Sequence, residues 1–401
     1  CTFLTMALRP FLYASLLVCW LVAPVVGQTV PAKGTAATLD IATWNIEWFG
    51  ASNGPSNDAL QRDNVRAVIE QANIDLWAVQ EIADPNDFNV LLSELGTGFD
   101  GVLATESSQQ RIGFIYKTDA IQNVVTGHIL TQFGFDFATR PPLQLEADVV
   151  LPDTTVRVTF ITVHMKAFGD LDSYNRRVDA SNRLKNNIDF LRPNDPIVVL
   201  GDMNDELLRS IAGGRTSPYQ NFVDDTAAYA FLTLPLDQQN IDTFCGNSSC
   251  STGSTLDHIL ITDELFSAYE ASSSARFDEL LTSITGYTAS TSDHLPVFAR
   301  FDFATGTAVE ASEIPSAMVA PAYPNPFHAR STLSYTLSRP GPVEVAVFDL
   351  LGRRVATLAE GKRPPGRHRI VWEADTLPPG MYLLRLSTAE AIHTQPVVRI
   401  R

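Results

Sequence analysis

What most constrains this chain is a series of short apolar runs, each ending on residues that can bind metal or move protons. The run at 39–44 leads into Asn45 and Glu47, and 76–79 leads into Gln80 and Glu81. The run at 156–163 leads into His164 and Lys166, and 197–200 into Gly201, Asp202 and Asn204. Near the end of the series, Asp257 lies at the start of 256–261 and Ser292-Asp293-His294 precedes 296–303, with a further run at 112–116. Apolar runs this short, bounded by polar residues, read as strands, several of them buried on both faces. Between them, residues 58–73 place Leu60, Val65, Val68 and Ile69 at helical spacing. Residues 173–191 do the same with Val178, Leu184, Ile188 and Leu191, and Ser173 is the expected N-cap. The mixture predicts a layered α/β domain over residues 38–303.

A small, polar, aperiodic stretch at 304–318 reads as a linker, and the pattern changes beyond it. Runs at 333–337, 343–349, 369–372, 382–386 and 396–400 alternate with Pro340-Gly341-Pro342, Leu351-Gly352, Pro364-Pro365-Gly366 and Pro378-Pro379-Gly380. Regular strands separated by turn chemistry predict a small all-β, immunoglobulin-like sandwich at 319–401. At the other end, the apolar run 11–26 follows Met6 and Arg9 and precedes Gly27. Residues 1–27 therefore read as a signal peptide with translation starting at Met6. A membrane anchor is the competing reading, but the run falls short of the ~20 residues a spanning helix needs, and no stable membrane insertion is expected. Removing this segment leaves Cys245 and Cys250, which are spaced for a local disulfide in an exported protein.

Charge separates the two modules. The chain carries 29 Lys and Arg against 45 Asp and Glu, a net −16. Residues 314–401 hold 11 basic and 6 acidic side chains, or +5, which leaves −21 for the rest. A broad basic face that binds nucleic acid by counterion release is thus excluded from the larger module. A cleft made locally positive by Arg111, Arg140, Arg176 and Arg177 remains open, and would bind weakly and in a salt-sensitive way.

Taken singly, each polar strand end has a structural explanation: an Asp can cap a turn, and Asn45 can form an Asx-turn. Their order and spacing together resemble the endonuclease/exonuclease/phosphatase superfamily, on the motifs Thr-Trp-Asn-Ile-Glu-Trp-Phe-Gly (43–50), Val-Gln-Glu-Ile (79–82), Val-His-Met-Lys (163–166), Gly-Asp-Met-Asn-Asp (201–205), Leu-Asp-His-Ile-Leu (256–260) and Ser-Asp-His-Leu-Pro-Val (292–297). The resemblance implies a two-sheet β-sandwich flanked by helices, of the deoxyribonuclease I type, that cleaves phosphate esters with a divalent metal. On this basis Asn45, Glu81 and Asp293 hold Mg²⁺, for which Mn²⁺ could substitute, with a structural Ca²⁺ also open. Asp202 and Asn204 orient water and the scissile phosphate, and His164 and His294 form a proton-handling pair with Asp257 fixing the tautomer of His294. Arg111 and Arg140 are expected phosphate contacts.

Within the superfamily, the 45–50 and 163–166 segments are most similar to secreted deoxyribonucleases. The chain departs from that branch at Ser108 and Gln110, near positions which the branch fills with a stacking Tyr and a His-pairing Glu. The expected activity is Mg²⁺-dependent hydrolysis of DNA, with RNA left open as a second substrate, by a secreted monomer. The alternatives are a phosphodiesterase acting on phospholipid headgroups or small phosphate esters, and an inactive binding protein. In the smaller module, Tyr323-Pro324-Asn325-Pro326-Phe327, Val347 to Val355 and Leu377 to Tyr382 resemble the sorting domain of the type IX secretion system. That implies passage through the periplasm and recognition by the export machinery.

Overall fold

The computed structural model describes residues 29–105, 109–192, 194–303, 317–337, 340–349, 353–364, 366–374, 377–388 and 392–400. The expected signal peptide, most of the linker, Ser108 and the Leu351-Gly352 turn lie outside these residues. No helix among those described is long and apolar enough to cross a membrane.

In the larger module the strands are β1 (Leu39–Phe49), β2 (Leu76–Ile82), β3 (Phe99–Leu103), β4 (Arg111–Lys117), β5 (Ile121–His128), β6 (Leu143–Val150), β7 (Thr155–His164), β8 (Ile197–Asp202), β9 (Tyr229–Phe231), β10 (Phe244–Cys245), β11 (Gly253–Ser254), β12 (Asp257–Thr262), β13 (Ala275–Arg276) and β14 (Val297–Phe301). The principal helices are α1 (Asp58–Gln71), α2 (Pro85–Leu95) and α3 (Leu171–Leu191). Two six-stranded mixed sheets result, ordered β13-β14-β1-β2-β4-β3 and β5-β6-β7-β8-β12-β9.

Alternation along β1 shows how the layers are filled. Leu39 and Ile41 point into a core shared with Leu76, Phe114, Leu145, Phe160, Leu200 and Ile259, which lies between the sheets. Ala42, Trp44 and Ile46 face the other way and pack under α1 and α2 against Val65, Val68, Phe88 and Leu91. On the second sheet, Ile161, Val163, Ile197 and Val199 back onto Ala180, Leu184 and Ile188 of α3. The central strands are therefore apolar on both faces, as their sequence demands. The order is helix, sheet, sheet, helix, the two-sheet sandwich that the motifs imply.

Two expectations need correction. α3 begins at Leu171, and its N-cap is Asp170, whose carboxylate accepts the Ser173 N–H at 3.0 Å; Ser173 is the residue being capped. The run read as ending at 200 also extends further, because β8 continues to Asp202, while Asn204 lies beyond it at φ 53°. Gly201 is required by close packing: a Cβ there would lie 2.0 Å from Val163 O on the neighbouring strand.

Among the described residues, the smaller module has seven antiparallel strands: β15 (Ala317–Tyr323), β16 (Arg330–Leu337), β17 (Gly341–Phe348), β18 (Arg354–Arg363), β19 (Gly366–Glu373), β20 (Gly380–Thr388) and β21 (Ile392–Arg399). They form sheets β15-β16-β19 and β18-β17-β20-β21. Both sheets contribute to one core, with Leu333, Tyr335 and Trp372 from the first and Val345, Val347, Leu384 and Val397 from the second. This is the small all-β sandwich that the turn spacing predicts. Ala317 and Met318, read as linker from sequence, are the first residues of β15.

Candidate active site

Topology gathers the polar residues at one end of the sandwich. β1 pairs parallel to β2 with Asn45 opposite Gln80, and β7 pairs parallel to β8 with His164 opposite Asp202. β12 runs antiparallel to β8, so its first residue, Asp257, also faces Asp202. Asn45 joins the two sheets, its Nδ2 donating to Glu81 Oε1 at 3.1 Å and to Asp202 Oδ2 at 3.0 Å. Beneath it Gln80, fully buried, donates to Thr43 Oγ1 on its own sheet and to Thr162 Oγ1 on the opposite one.

His164 Nε2 lies 3.7 Å from Glu81 Oε1 and 3.5 Å from Asp202 Oδ2, and its Nδ1 finds no partner among the described residues. His294 Nδ1 meets Asp257 Oδ2 at 2.7 Å, and its Nε2 lies 4.0 Å from Asp293 Oδ1. Asp202 Oδ1 accepts the Asn204 N–H, and Asn204 Nδ2 donates to Met165 O at 3.3 Å. Backbone strain collects here: Glu47, Glu81 and Asn204 are non-glycine residues at φ 27°, 61° and 53°. Such conformations persist only where the surroundings enforce them.

The loop bearing Asp293 and His294 is fixed from several sides. Trp44 Nε1 and Tyr287 Oη both donate to His294 O, and Ser292 Oγ donates to Asn45 O. Cys245 N–H donates to Asp293 O, and Cys245 and Cys250 form the disulfide that their spacing suggests. Gln61 of α1, which sequence reasoning passed over, donates to Ile46 O, Glu47 O and Thr291 O and so ties the β1 bend to this loop.

The electrostatics are those of crowded, poorly solvated carboxylates. Burial, with nearby Asp257 and Glu81, pushes Asp202 up to about 7. Burial and the charge of Asp293 bring Glu47 to about 7, and burial also raises Asp293. Desolvation, followed by the charges of Arg140 and His294, holds His164 well below the usual histidine range, which leaves it neutral. For His294, desolvation is outweighed by Asp257, Asp202 and Asp293, which raise it well above that range. Glu47 is thus a site residue that the reading of strand ends noted without assigning it a role. Its Oε2 accepts the Asp293 N–H at 3.0 Å.

This donor set fits a hard divalent cation. Glu81, His164 and Asp202 offer ligand atoms that all lie within 4.8 Å of one another. Accumulated carboxylate charge suits Mg²⁺ or Mn²⁺, which oxygen ligands hold. Of the expected Asn45, Glu81 and Asp293, Glu81 belongs to this grouping. The Asn45 amide oxygen accepts the Glu47 N–H at 3.0 Å, so its nitrogen faces the carboxylates, and Asp293 sits on the Glu47 side.

A pH dependence follows. The folded protein holds protons on Asp202 and Glu47 up to about pH 7, whereas the unfolded chain releases them near 4. Between those values folding takes up protons, so the metal-free protein should lose stability as pH rises from about 4 to 7. A loss of about 2 kcal/mol would lower Tm by roughly 4–8 °C. Mg²⁺ should restore most of it at pH 8 and little at pH 5, because protons and metal compete for the same oxygens. Thermal melts at both pH values, with EDTA and with Mg²⁺, check this. A Tm in EDTA that is as high at pH 8 as at pH 5 would contradict it.

The four arginines behave differently from one another. Arg140 donates to Gln110 Oε1, His164 O and Met165 O, and burial lowers its pKa to about 10. Arg111 donates to Ala83 O at 3.2 Å. Arg176 binds Phe135 O at the exposed rim. Arg177 adds no charge to the cleft: it is fully buried and paired with Asp205 at 2.8 Å.

A helix-flanked two-sheet sandwich with carboxylates, an amide and two histidines converging at its strand ends is the architecture of metal-assisted phosphoester hydrolases. The model for the endonuclease/exonuclease/phosphatase family matches residues 42–294, and the chain belongs to that family. A secretion system C-terminal sorting domain matches residues 321–400, which indicates type IX export to the cell surface or beyond. Similar solved structures include a humanized D. rerio TDP2, 14% identical over 66% of this chain and 98% of that one, with a TM-score of 0.49. An endonuclease/exonuclease/phosphatase from Beutenbergia cavernae is 16% identical over 90% and 100%, TM-score 0.47, and one from Bacteroides vulgatus is 16% identical over 66% and 98%, TM-score 0.48. No curated protein matches the sequence.

Proposed function

We propose that this chain is an exported, Mg²⁺-dependent nuclease that hydrolyses phosphodiester bonds of DNA by attack of water. The observation that carries the reading is the pairing of two unlike histidines across one carboxylate cluster. His294 is braced by Asp257, while neutral His164 faces Glu81 and Asp202. In this reading Glu81 and Asp202 hold the ion with Asn45 and Asp293 in support, and His164 is adjacent to it. When bound, the ion neutralises a phosphate oxygen and lowers the pKa of a coordinated water.

His294 presents Nε2 to the reacting water, and the Asp257 bond to Nδ1 fixes the tautomer with Nε2 unprotonated once the neighbouring carboxylates are neutralised. Neutral His164 is placed to donate a hydrogen bond to a phosphate oxygen, and Asn204 orients the phosphate. Arg140 braces the His164 strand end. In a plasmid-nicking assay the full chain should nick DNA with Mg²⁺ but not with EDTA, and His164→Ala should be slower by at least about 100-fold. Absence of metal-dependent nicking would overturn the reading. Parallel assays on RNA, sphingomyelin and nucleotides separate it from the phospholipid and small-ester alternatives.

A further inference from the structure

The segment that follows His164 is built to push an aromatic ring into solvent. Met165 is buried, yet Phe168, three residues on, is 69% exposed and adopts φ 82°, a left-handed conformation that a bulky side chain rarely accepts. Strain of this kind persists only under an external clamp. That clamp is Arg177, whose Nη1 donates to Lys166 O at 2.6 Å and to Phe168 O at 2.8 Å. Asp205 grips the same guanidinium at Nε and Nη2, at 2.9 and 2.8 Å. A buried ion pair thus holds an exposed ring in place. Four residues of chain keep Phe168 within about 14 Å of His164.

The neighbouring residue of α3 repeats the device. Arg176 donates to Phe135 O at 3.0 and 2.6 Å and covers the Phe135 ring at 4.2 Å, while Phe135 itself is 65% exposed. Lys166 Nζ likewise lies 4.4 Å from the centroid of Phe168. The rim therefore presents two exposed rings, each with a cation on it, in a module whose charge is otherwise strongly negative. Arg176 also faces Asp172, at 4.0 Å.

We infer that Phe168 and Phe135, with Lys166 and Arg176, form a stacking platform for unpaired bases beside the scissile phosphate, so that the preferred substrate is single-stranded or frayed nucleic acid. This rests on the nuclease reading above. Rings paired with cations match a strand that alternates bases with phosphates, because every base offers a face for stacking and every linkage a negative charge. A base in a closed duplex has no free face to offer. A lipid surface would be better served by a continuous apolar patch, and here each ring carries its own positive charge.

The test uses the full chain on a short single-stranded oligodeoxynucleotide carrying 2-aminopurine, on the same sequence as a blunt duplex, and on bis(p-nitrophenyl) phosphate. The wild type should prefer the single strand and quench the fluorescent base on binding in EDTA. Phe168→Ala should lose the quenching and raise KM for the single strand about tenfold, with a smaller change in kcat. Phe168→Trp should restore both. Equal effects of Phe168→Ala on duplex and single strand, or no effect on either, would overturn the inference and leave the nuclease reading standing. Binding to phosphatidylglycerol vesicles that Phe168→Ala abolishes, with the oligonucleotide KM unmoved, would also overturn it, in favour of a lipid surface. Hydrolysis of bis(p-nitrophenyl) phosphate with no cleavage of either oligonucleotide would remove both readings.

Discussion

Replacing His294 by alanine should slow metal-dependent phosphodiester cleavage by about 10²–10⁴-fold, the range expected for losing a positioned general base. The imidazole is held at Nδ1 by a fully buried carboxylate, Asp257, at 2.7 Å. The loop around it is fixed through backbone atoms, since Trp44 and Tyr287 both bind His294 O. Truncating the side chain leaves the loop's main restraints in place but strips the buried Asp257 carboxylate of its partner, so the loss should appear in kcat together with a lower Tm. Asp257→Asn tests the same dyad from the other side: the ring stays but its tautomer is no longer dictated, so activity should fall while Mg²⁺-induced stabilisation persists. Cleavage by His294→Ala within tenfold of wild type would remove His294 from the reaction.

Arg177→Met should be the most destabilising single change among the residues discussed. Asp205 is fully buried, and besides Arg177 it accepts from Ser210 Oγ and the N–H groups of Glu206 and Ile211. Removing the guanidinium leaves that carboxylate unpaired in the interior and takes the donor from Lys166 O and Phe168 O. Breaking one side of a buried pair costs about 3–5 kcal/mol, mostly as the penalty on the abandoned charge. For a domain of this size the shift in Tm is roughly 6–20 °C. Differential scanning calorimetry measures it, and a drop below about 2 °C would contradict the buried-pair argument. Methionine keeps most of the volume, so an ordinary cavity cannot account for a large loss.

Much of the site was legible in the sequence because strand ends carry a strong local signal. An apolar run that stops on Asn45, Glu81, His164 or Asp202 marks both the strand and the edge of the core, since an ionisable group cannot continue into an apolar layer without a partner. The strands at 99–103, 121–128 and 143–150 were not anticipated. β5 lies at the edge of its sheet, with much of its length exposed, so its residues lack the apolar run that marks a central strand. Helix α2 was also missed, although Asp84 caps it and Pro85 opens it, because it is short and its signal is confined to Phe88, Leu91 and Leu95.

Roles proved harder to read than positions. Asn45 looks like an oxygen donor in the sequence, yet the Glu47 N–H takes its oxygen and turns its nitrogen towards the carboxylates. Arg177 and Arg176 are adjacent in sequence, but one is sealed against Asp205 and the other lies over Phe135 at the surface. On a helix, consecutive residues point about 100° apart, so which of them meets the core depends on what packs there.

The sequence by itself determined the two modules, the α/β and all-β classes, the list of polar strand ends and the candidate disulfide, because each is written in local periodicity and residue type. Only the tertiary structure decided which of those residues meet. Asn45 and Glu81 belong to one sheet, His164, Asp202 and Asp257 to the other, and His294 to a loop, at separations that reach 250 positions for Trp44 and His294. Their protonation is decided there too. Asp202 and Glu47 reach about 7, and His164 and His294 move in opposite directions, only because the closing of the two sheets removes water and brings like charges together.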